Sequence, residues 1–359
     1  MNQKPLKVLY LFAGERKSLE EKWRQGLTPD SQLIGLNHLK DFGIDASYIE
    51  NRFLNFIRRK NFNLTNLLLL PVIRRYDVVF SGASLFLPFV AKVLLRMKRP
   101  KFVWYNTFFT NTLKRNVDKK FRSWILRKTI DSLDAIICPS TAQRRFLIDT
   151  GFDQSKIFFV PNGIDIEFMK RRTTEGGSSS KSAERFVLSV GKDMGRDYET
   201  LIRAVKDIPI EVRIVALPRN VEAVGEIPAN VKILGFVPFP RLVELYKEAL
   251  FVVIPTKGER HLDASDCSGQ YVLLDAMSID KAIIASERET LADYFTDGEE
   301  GVTTTAENSD ELRKAINEML HDEVKRKEFG QKASKRGATF TTSRMAENLA
   351  VIFKGVVKK

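Results

Sequence analysis

Short β-rich runs alternate with amphipathic helical stretches along the whole chain, and that alternation leaves few folds open. In the first half the runs are Lys7–Phe12, Ala46–Ile49, Asp77–Ser81, Lys101–Tyr105, Ala135–Pro139 and Ile157–Val160. In the second half they are Phe186–Val190, Glu211–Ala216, Val231–Leu234, Phe251–Pro255, Ala282–Ser286 and Gly301–Thr304. Segments with helical patterning separate them, among them Ser31–Phe42, Leu85–Arg96 and Asp118–Ser132. Such an order builds parallel sheets with helices on both faces. Six runs on each side predict an α/β chain of two Rossmann-like units, and 359 residues suffice for two cores.

The expected boundaries are a first domain over residues 1–165, a linker over 166–185, a second domain over 186–340 and a closing helix over 341–359. The linker assignment follows RRTTEGGSSSKSAERF, residues 171–186, where Gly and Ser gather with charge. In the closing segment Met345, Leu349, Ile352 and Phe353 recur every three or four residues. They share one helix face, which must dock on something.

Composition narrows the class. Hydrophobic content of 43% with 29% charged residues is that of a globular protein and excludes wholesale disorder. Two cysteines, Cys138 and Cys267, make no disulfide framework, so a reducing, cytoplasmic compartment is expected. His38, His261 and His321 lie far apart, and no Cys/His cluster has zinc spacing, so no metal is expected. The opening MNQKPLKVLYLF runs into Gly14-Glu15-Arg16 with no small-residue cleavage site and reads as a strand. The longest apolar stretch, Val78–Leu95, is interrupted by Ser81, Gly82, Pro88 and Lys92 and is too broken to span a bilayer.

Charge is divided unequally. Residues 1–165 hold 28 Lys and Arg against 14 Asp and Glu, a net of +14, whereas residues 166–359 hold 30 against 31. The basic clusters of the first half sit beside Phe53, Phe56, Ile57, Phe62 and Trp124. Two readings remain open from residues alone: a solvated basic face, or contact with an anionic membrane surface. Membrane contact is the expectation adopted. No nucleic-acid motif accompanies the charge, so nucleic acid is not an expected partner.

Two stretches of the second half carry the chemistry. VGKDMGRDYETLIRAV places Gly191, Lys192 and Arg196 just past the apolar run FVLSV. SGQYVLLDAM places Asp275 inside a buried helix whose N-terminus is Ser268-Gly269-Gln270. Fixed cations match a diphosphate by charge, and an Arg can bind two oxygens at once. A helix N-terminus offers N–H groups to phosphate or sugar oxygens, and a carboxylate accepts from a sugar diol. A nucleotide sugar combines these features. The competing possibility is that Lys192 and Arg196 only pair with Asp193 and Asp197. No G-x-G-x-x-G follows a strand, which sets aside a nicotinamide dehydrogenase.

These stretches, with VPNGID at 160–165, DKAIIAS at 280–286 and DYFTDGEEG at 293–301, resemble glycosyltransferases of family 4 (glycosyl transferases group 1), retaining enzymes of GT-B fold. The resemblance covers the second half; the first is consistent only in its alternation. It implies two Rossmann-like domains facing across a cleft, with the last helix returning to the first domain. It implies a metal-independent hexosyltransferase that uses a nucleotide-diphosphate sugar and no cofactor, with a glycan or lipid-linked acceptor entering from the first domain. Polysaccharide biosynthesis at the inner membrane face would suit it.

By the same resemblance Lys192 and Arg196 stand on the donor diphosphate, and Asp275 matches the second of two acids and holds the ribose hydroxyls. The register of the first acid, which holds the donor sugar, falls on Cys267. Asp266 or Asp263, or the backbone of Ser268, Gly269 and Gln270, would take over that role. In the first domain Gly14, in the first strand–helix turn, and Asn106 and Thr107, after the fourth strand, are the candidates facing the reacting sugar. Phe108 and Phe109 are equally compatible with core and with an acceptor platform. A non-catalytic member that binds nucleotide or membrane, and a GT-B nucleotide-sugar epimerase, are the alternatives.

Overall fold

The computed structural model describes residues 4–175, 185–222, 224–262 and 264–358. The chain divides into two compact units, one made of Met1–Gln25, Asp30–Gly163 and Thr342–Lys359, the other of Gly26–Pro29 and Ile164–Thr341. Each contains a six-stranded sheet in which every strand pairing is parallel.

In the first unit the strands are β1 (Leu6–Leu11), β2 (Ile44–Tyr48), β3 (Val78–Ser81), β4 (Lys101–Tyr105), β5 (Ala135–Cys138) and β6 (Ile157–Phe159), in the order β2-β1-β3-β4-β5-β6. In the second they are β7 (Phe186–Val190), β8 (Glu211–Val215), β9 (Val231–Ile233), β10 (Val252–Ile254), β11 (Ile283–Ser286) and β12 (Gly301–Thr304), in the order β12-β11-β10-β7-β8-β9. All twelve runs expected from sequence form strands.

Alternation explains why both faces are covered. Successive side chains point to opposite sides of a strand. On β1, Val8 and Tyr10 enter one core while Leu9 enters the other. On β7, Phe186, Leu188 and Val190 face one core and Val187 the second. Strands apolar at both parities need helices on both sides, which parallel crossovers supply.

The closing helix spans Thr342–Lys358 and buries Met345, Leu349, Ile352 and Phe353. They join Val8, Tyr10, Phe80 and Tyr105 in one core of the first sheet, and the Phe353 ring meets that of Phe80 edge-on at 5.5 Å. One face of the first sheet is thus roofed by the end of the chain.

Two segments differ from the sequence expectation. Within the expected linker, Ile166–Glu175 forms a helix of the second unit. Phe168 and Met169 are buried there, and that apolar contribution outweighs the polar composition that follows. The remainder of the expected linker, 176–184, lies outside the described residues. Ser31–Phe42 forms two 3-10 segments, Asp30–Leu33 and Leu36–Phe42, because Gly35 between them takes a left-handed backbone with φ 73°.

Phe353→Ala should destabilise the first unit by about 3–5 kcal/mol, the usual cost of emptying a buried aromatic site. Val351→Ala, at a side chain pointing outward on the same helix, should leave the denaturant midpoint nearly unchanged. Equal effects would refute the docking of this face.

Candidate donor site

The order of the second sheet reverses between β7 and β10: β8 and β9 lie on one side, β11 and β12 on the other. Loops leaving the C-terminal ends of strands at such a point diverge and leave a crevice for ligands. Gly191 follows β7 there, and Pro255 and Thr256 follow β10.

The loop after β7 is held by its own acids. The Asp193 carboxylate accepts the N–H of Gly195 (2.9 Å) and of Ser265 (3.3 Å). Asp197 accepts the N–H of Thr200 (3.1 Å) and caps the helix Tyr198–Val205. The backbone of Asp197 donates to Pro255 and that of Lys257 to Gly195, which fastens this loop to the one after β10. The carboxylates of Asp193 and Asp197 therefore serve backbone groups, and neither forms an ion pair with Arg196 among the described residues.

Arg196 is 4% exposed, and its Nε and Nη1 have no hydrogen-bond partner. Its side chain lies across Gly191, where an added Cβ would come within 2.0 Å of Nε. Nη1 points toward Gly269, which would place a Cβ 3.7 Å away. Gly269 heads the helix Gln270–Ser278 in a left-handed conformation, φ 95°. Two glycines thus leave room for one guanidinium at a helix N-terminus. Burial lowers the Arg196 pKa from its ordinary value, which marks the cost of holding that charge away from water. Lys192, next to Gly191, is exposed and without an ion pair among the described residues.

Further buried groups at this edge lack partners. They are the Tyr246 hydroxyl, Asp197 Oδ2, Thr256 Oγ1, Ser268 Oγ, Arg288 Nε and Thr290 Oγ1. Arg288 Nε approaches Glu259 only to 3.5 Å. Folded proteins pair nearly all buried polar atoms. A cluster of exceptions of both charges and several hydroxyls fits a ligand rich in phosphate and hydroxyl oxygens.

Asp275 is half-buried in the helix Gln270–Ser278 and has no ion pair among the described residues. Burial raises its pKa from 3.8 to about 7. The Tyr246 hydroxyl is also raised, first by burial and then by the Asp275 charge, while Arg196 acts on it in the opposite sense. Tyr246 therefore lies within electrostatic reach of both Asp275 and Arg196.

The remaining expected residues divide. Ser268 and Gly269 are buried at the helix head, and Cys267 is half-buried beside them. Asp266 is 3% exposed. Asp263 lies outside the described residues. Gln270 is fully buried, and its side-chain Nε2 donates to the Thr290 carbonyl at 2.7 Å, tying the loop after β11 in place, which leaves the expectation for its backbone N–H untouched. Tyr246, Thr256 and Arg288 escaped the sequence reading. Arg288 alone carried a signal, a cation two residues beyond a strand end.

In the first unit, Gly14 lines a crevice with Phe12, Tyr48, Glu50, Arg58 and Asn66. The head of the helix Lys17–Arg24 is already served there by Glu50, which accepts the N–H of Arg16 at 2.7 Å and of Lys17 at 3.4 Å. Asn106 sits in the turn after β4. It is fully buried, donates to Thr110 Oγ1 at 3.0 Å and accepts the Phe109 N–H at 3.0 Å. Its amide closes the turn into the helix Phe109–Arg115, a local use available to any Asn after a strand. Thr107 is half-buried, Phe109 is core and Phe108 is exposed. A cavity of about 780 Å³ beside β6 is walled by Arg144, Phe158, Phe159 and Val351 among others, and by none of the expected donor residues.

Residues 36–168 match the model of Glycosyltransferase Family 4, and residues 222–336 that of Glycosyl transferases group 1. The chain belongs to this glycosyltransferase family. It is 23% identical over 249 residues to an uncharacterized glycosyltransferase of Methanocaldococcus jannaschii, covering 65% of this chain and 60% of that protein. It is also 23% identical over 240 residues to the N-acetylgalactosamine-N,N'-diacetylbacillosaminyl-diphospho-undecaprenol 4-alpha-N-acetylgalactosaminyltransferase of Campylobacter jejuni, covering 66% of this chain and 64% of that one. The matches thus span less than two thirds of either relative. Among solved structures, Anabaena HepE in complex with UDP-glucose superposes with a TM-score of 0.67 at 16% identity, covering 98% of this chain and all of that one. Sucrose-phosphate synthase of Thermosynechococcus elongatus gives 0.73 at 14% identity, with 98% of both chains covered. The fold of the chain is GT-B.

The native state takes up a proton at Asp275 that the unfolded chain releases. That uptake stabilises the fold at low pH, and the contribution is lost as pH rises from about 4 through about 7. Asp275→Asn should therefore match the wild-type melting temperature near pH 4 and exceed it at about pH 8. A difference constant with pH would show that Asp275 is not buried as a charge.

Proposed function

We propose that the chain transfers a sugar from a nucleotide-diphosphate sugar to an acceptor hydroxyl with retention of anomeric configuration. The observation that carries this reading is the buried, unpartnered guanidinium of Arg196 between Gly191 and Gly269, at the reversal point of the second sheet. A diphosphate at the helix head would meet Arg196 and Lys192, and the ribose diol would donate to Asp275. The sugar would lie toward Cys267 and Ser268.

The bond from the anomeric carbon to the diphosphate oxygen breaks, and a bond from that carbon to the acceptor oxygen forms on the same face. The acceptor proton passes to the departing diphosphate. Arg196 and Lys192 stabilise the charge that develops there, without recourse to a metal. Retention rests on the family resemblance.

The acceptor proposed is lipid-linked or a growing cell-surface glycan, met at the inner face of a membrane. The net charge of +14 on residues 1–165 supports this, as does the undecaprenol-linked substrate in the name of the Campylobacter relative. Among the described residues no helix is long and apolar enough to cross a membrane, so contact would be peripheral. Cys267 in the register of the first acid favours one second reading, a member that binds donor without turnover.

A thermal-shift screen of UDP-, GDP- and ADP-sugars should give stabilisation by one nucleotide class. Arg196→Ala removes a charge-assisted contact worth about 1.5–3 kcal/mol and should weaken that donor about 10- to 100-fold. Release of nucleoside diphosphate with product of unchanged anomeric configuration would support transfer. Binding without release in the presence of polyprenyl-linked acceptors would favour the non-catalytic reading. Unaltered binding by Arg196→Ala would sink the site.

A further inference from the structure

We infer that the first unit carries a preformed aromatic wedge, Phe121 with Trp124, that inserts into an anionic lipid surface. The inference rests on the membrane contact proposed above and narrows it to one layer of helices.

Helices Arg52–Lys60, Phe62–Leu68, Phe86–Pro88, Phe89–Leu94 and Lys120–Asp131 pack successively against one another in this unit. Their inner sides supply Leu54, Leu87, Ala91 and Ile130 to the core beneath. Their outer sides are not polar as those of a solvated layer should be. Phe53, Phe56, Leu94 and Leu95 are exposed, Phe121 is 73% exposed and Trp124 53%.

The helix Lys120–Asp131 is the clearest case. Phe121, Trp124 and Lys128 recur at intervals of three and four and share one stripe; Thr129 and Ile130, buried, lie on the other side. The two outer rings stack on each other, 6.3 Å between centroids and 18° from parallel. A stacked pair held on a helix loses little side-chain freedom on insertion.

The charge around the wedge selects the partner. Residues 114–128 contain seven Lys and Arg and one acid, Asp118. None of Lys119, Lys120, Arg122 and Lys128 is in an ion pair among the described residues. Aromatic rings flanked by unneutralised cations fit the headgroup region of an anionic bilayer, where rings enter the interface and cations stay at the phosphates. An acidic protein would meet the cations but leave two large rings in water.

The test uses the full chain with phosphatidylglycerol vesicles and, for comparison, phosphatidylcholine vesicles, without donor or acceptor. Co-sedimentation with the anionic vesicles is expected, weakening as salt rises. Trp124 is the most exposed of the three tryptophans, so insertion should shift emission to shorter wavelength. Phe121→Ser with Trp124→Ser should lower the partition coefficient at least about tenfold and abolish the shift, with the melting temperature unchanged. Absence of wild-type binding at low salt, equal binding by the double variant, or binding with no emission change would overturn the inference. So would concentration-dependent self-association that the double variant abolishes, because the face would then pair with a second copy. Because the assay contains no sugar nucleotide, its failure leaves the transfer chemistry untouched, and loss of transfer leaves it untouched in turn.

Discussion

A guanidinium buried without a carboxylate partner is the most demanding feature of the second unit. Taking such a charge out of water costs several kcal/mol unless geometry and hydrogen bonds offset it. The chain does not offset it internally. Asp193 and Asp197 flank Arg196 in sequence, yet both accept backbone N–H groups. That arrangement makes the loops rigid and leaves the cation free for a ligand. Gly191 and Gly269 are the complement of the same constraint, because a methyl group at Gly191 would occupy the space of Nε. Rigidity at the candidate site is thus obtained from groups other than the guanidinium itself.

Asp275 repeats the logic with opposite charge. A carboxylate with pKa raised to about 7 is unfavourable for folding at neutral pH. Its neighbour Tyr246 keeps a buried hydroxyl without a partner. A site that bore only on stability would have neutralised these groups against one another. Stability given up at a few positions is the usual signature of binding chemistry.

The sequence carried the local signals and missed the ones that depend on neighbours in space. All twelve strands were legible because their apolar runs are short, β-branched and flanked by turns. The docking face of the last helix was legible from its spacing. Arg196 and Asp275 were legible because each sits at a fixed step from a strand end or a helix head. Thr256, Arg288 and Tyr246 were not, since they join the candidate site only because β10 lies beside β7 and β11 beside β10, more than sixty residues from β7 in sequence. The side chains of Asn106 and Gln270 show what spacing alone leaves open. Each is a polar residue at a plausible loop, and each spends its amide on a backbone partner that sequence does not reveal. A polar residue after a strand is ambiguous between closing the turn and facing a ligand, and only burial with or without a partner separates the two.

The division of charge between residues 1–165 and 166–359 fits the two ligands proposed. Residues 166–359 are close to neutral overall, and the cations at the candidate site are few and individually placed, as would suit one small dianion read by geometry. Residues 1–165 carry an excess of +14, with exposed apolar side chains interleaved among cations of which Lys119, Lys120, Arg122 and Lys128 have no ion pair among the described residues. A diffuse positive field does not discriminate one small ligand from another. It raises the local concentration of anything broad and anionic, and exposed rings add affinity only where that surface has an apolar interior. On the function proposed, the two halves use positive charge in opposite ways: buried and directional for a donor, exposed and averaged for a surface. Exchanging the two would fail on both counts, because a buried excess of that size could not fold and one exposed arginine could not hold the chain to a bilayer.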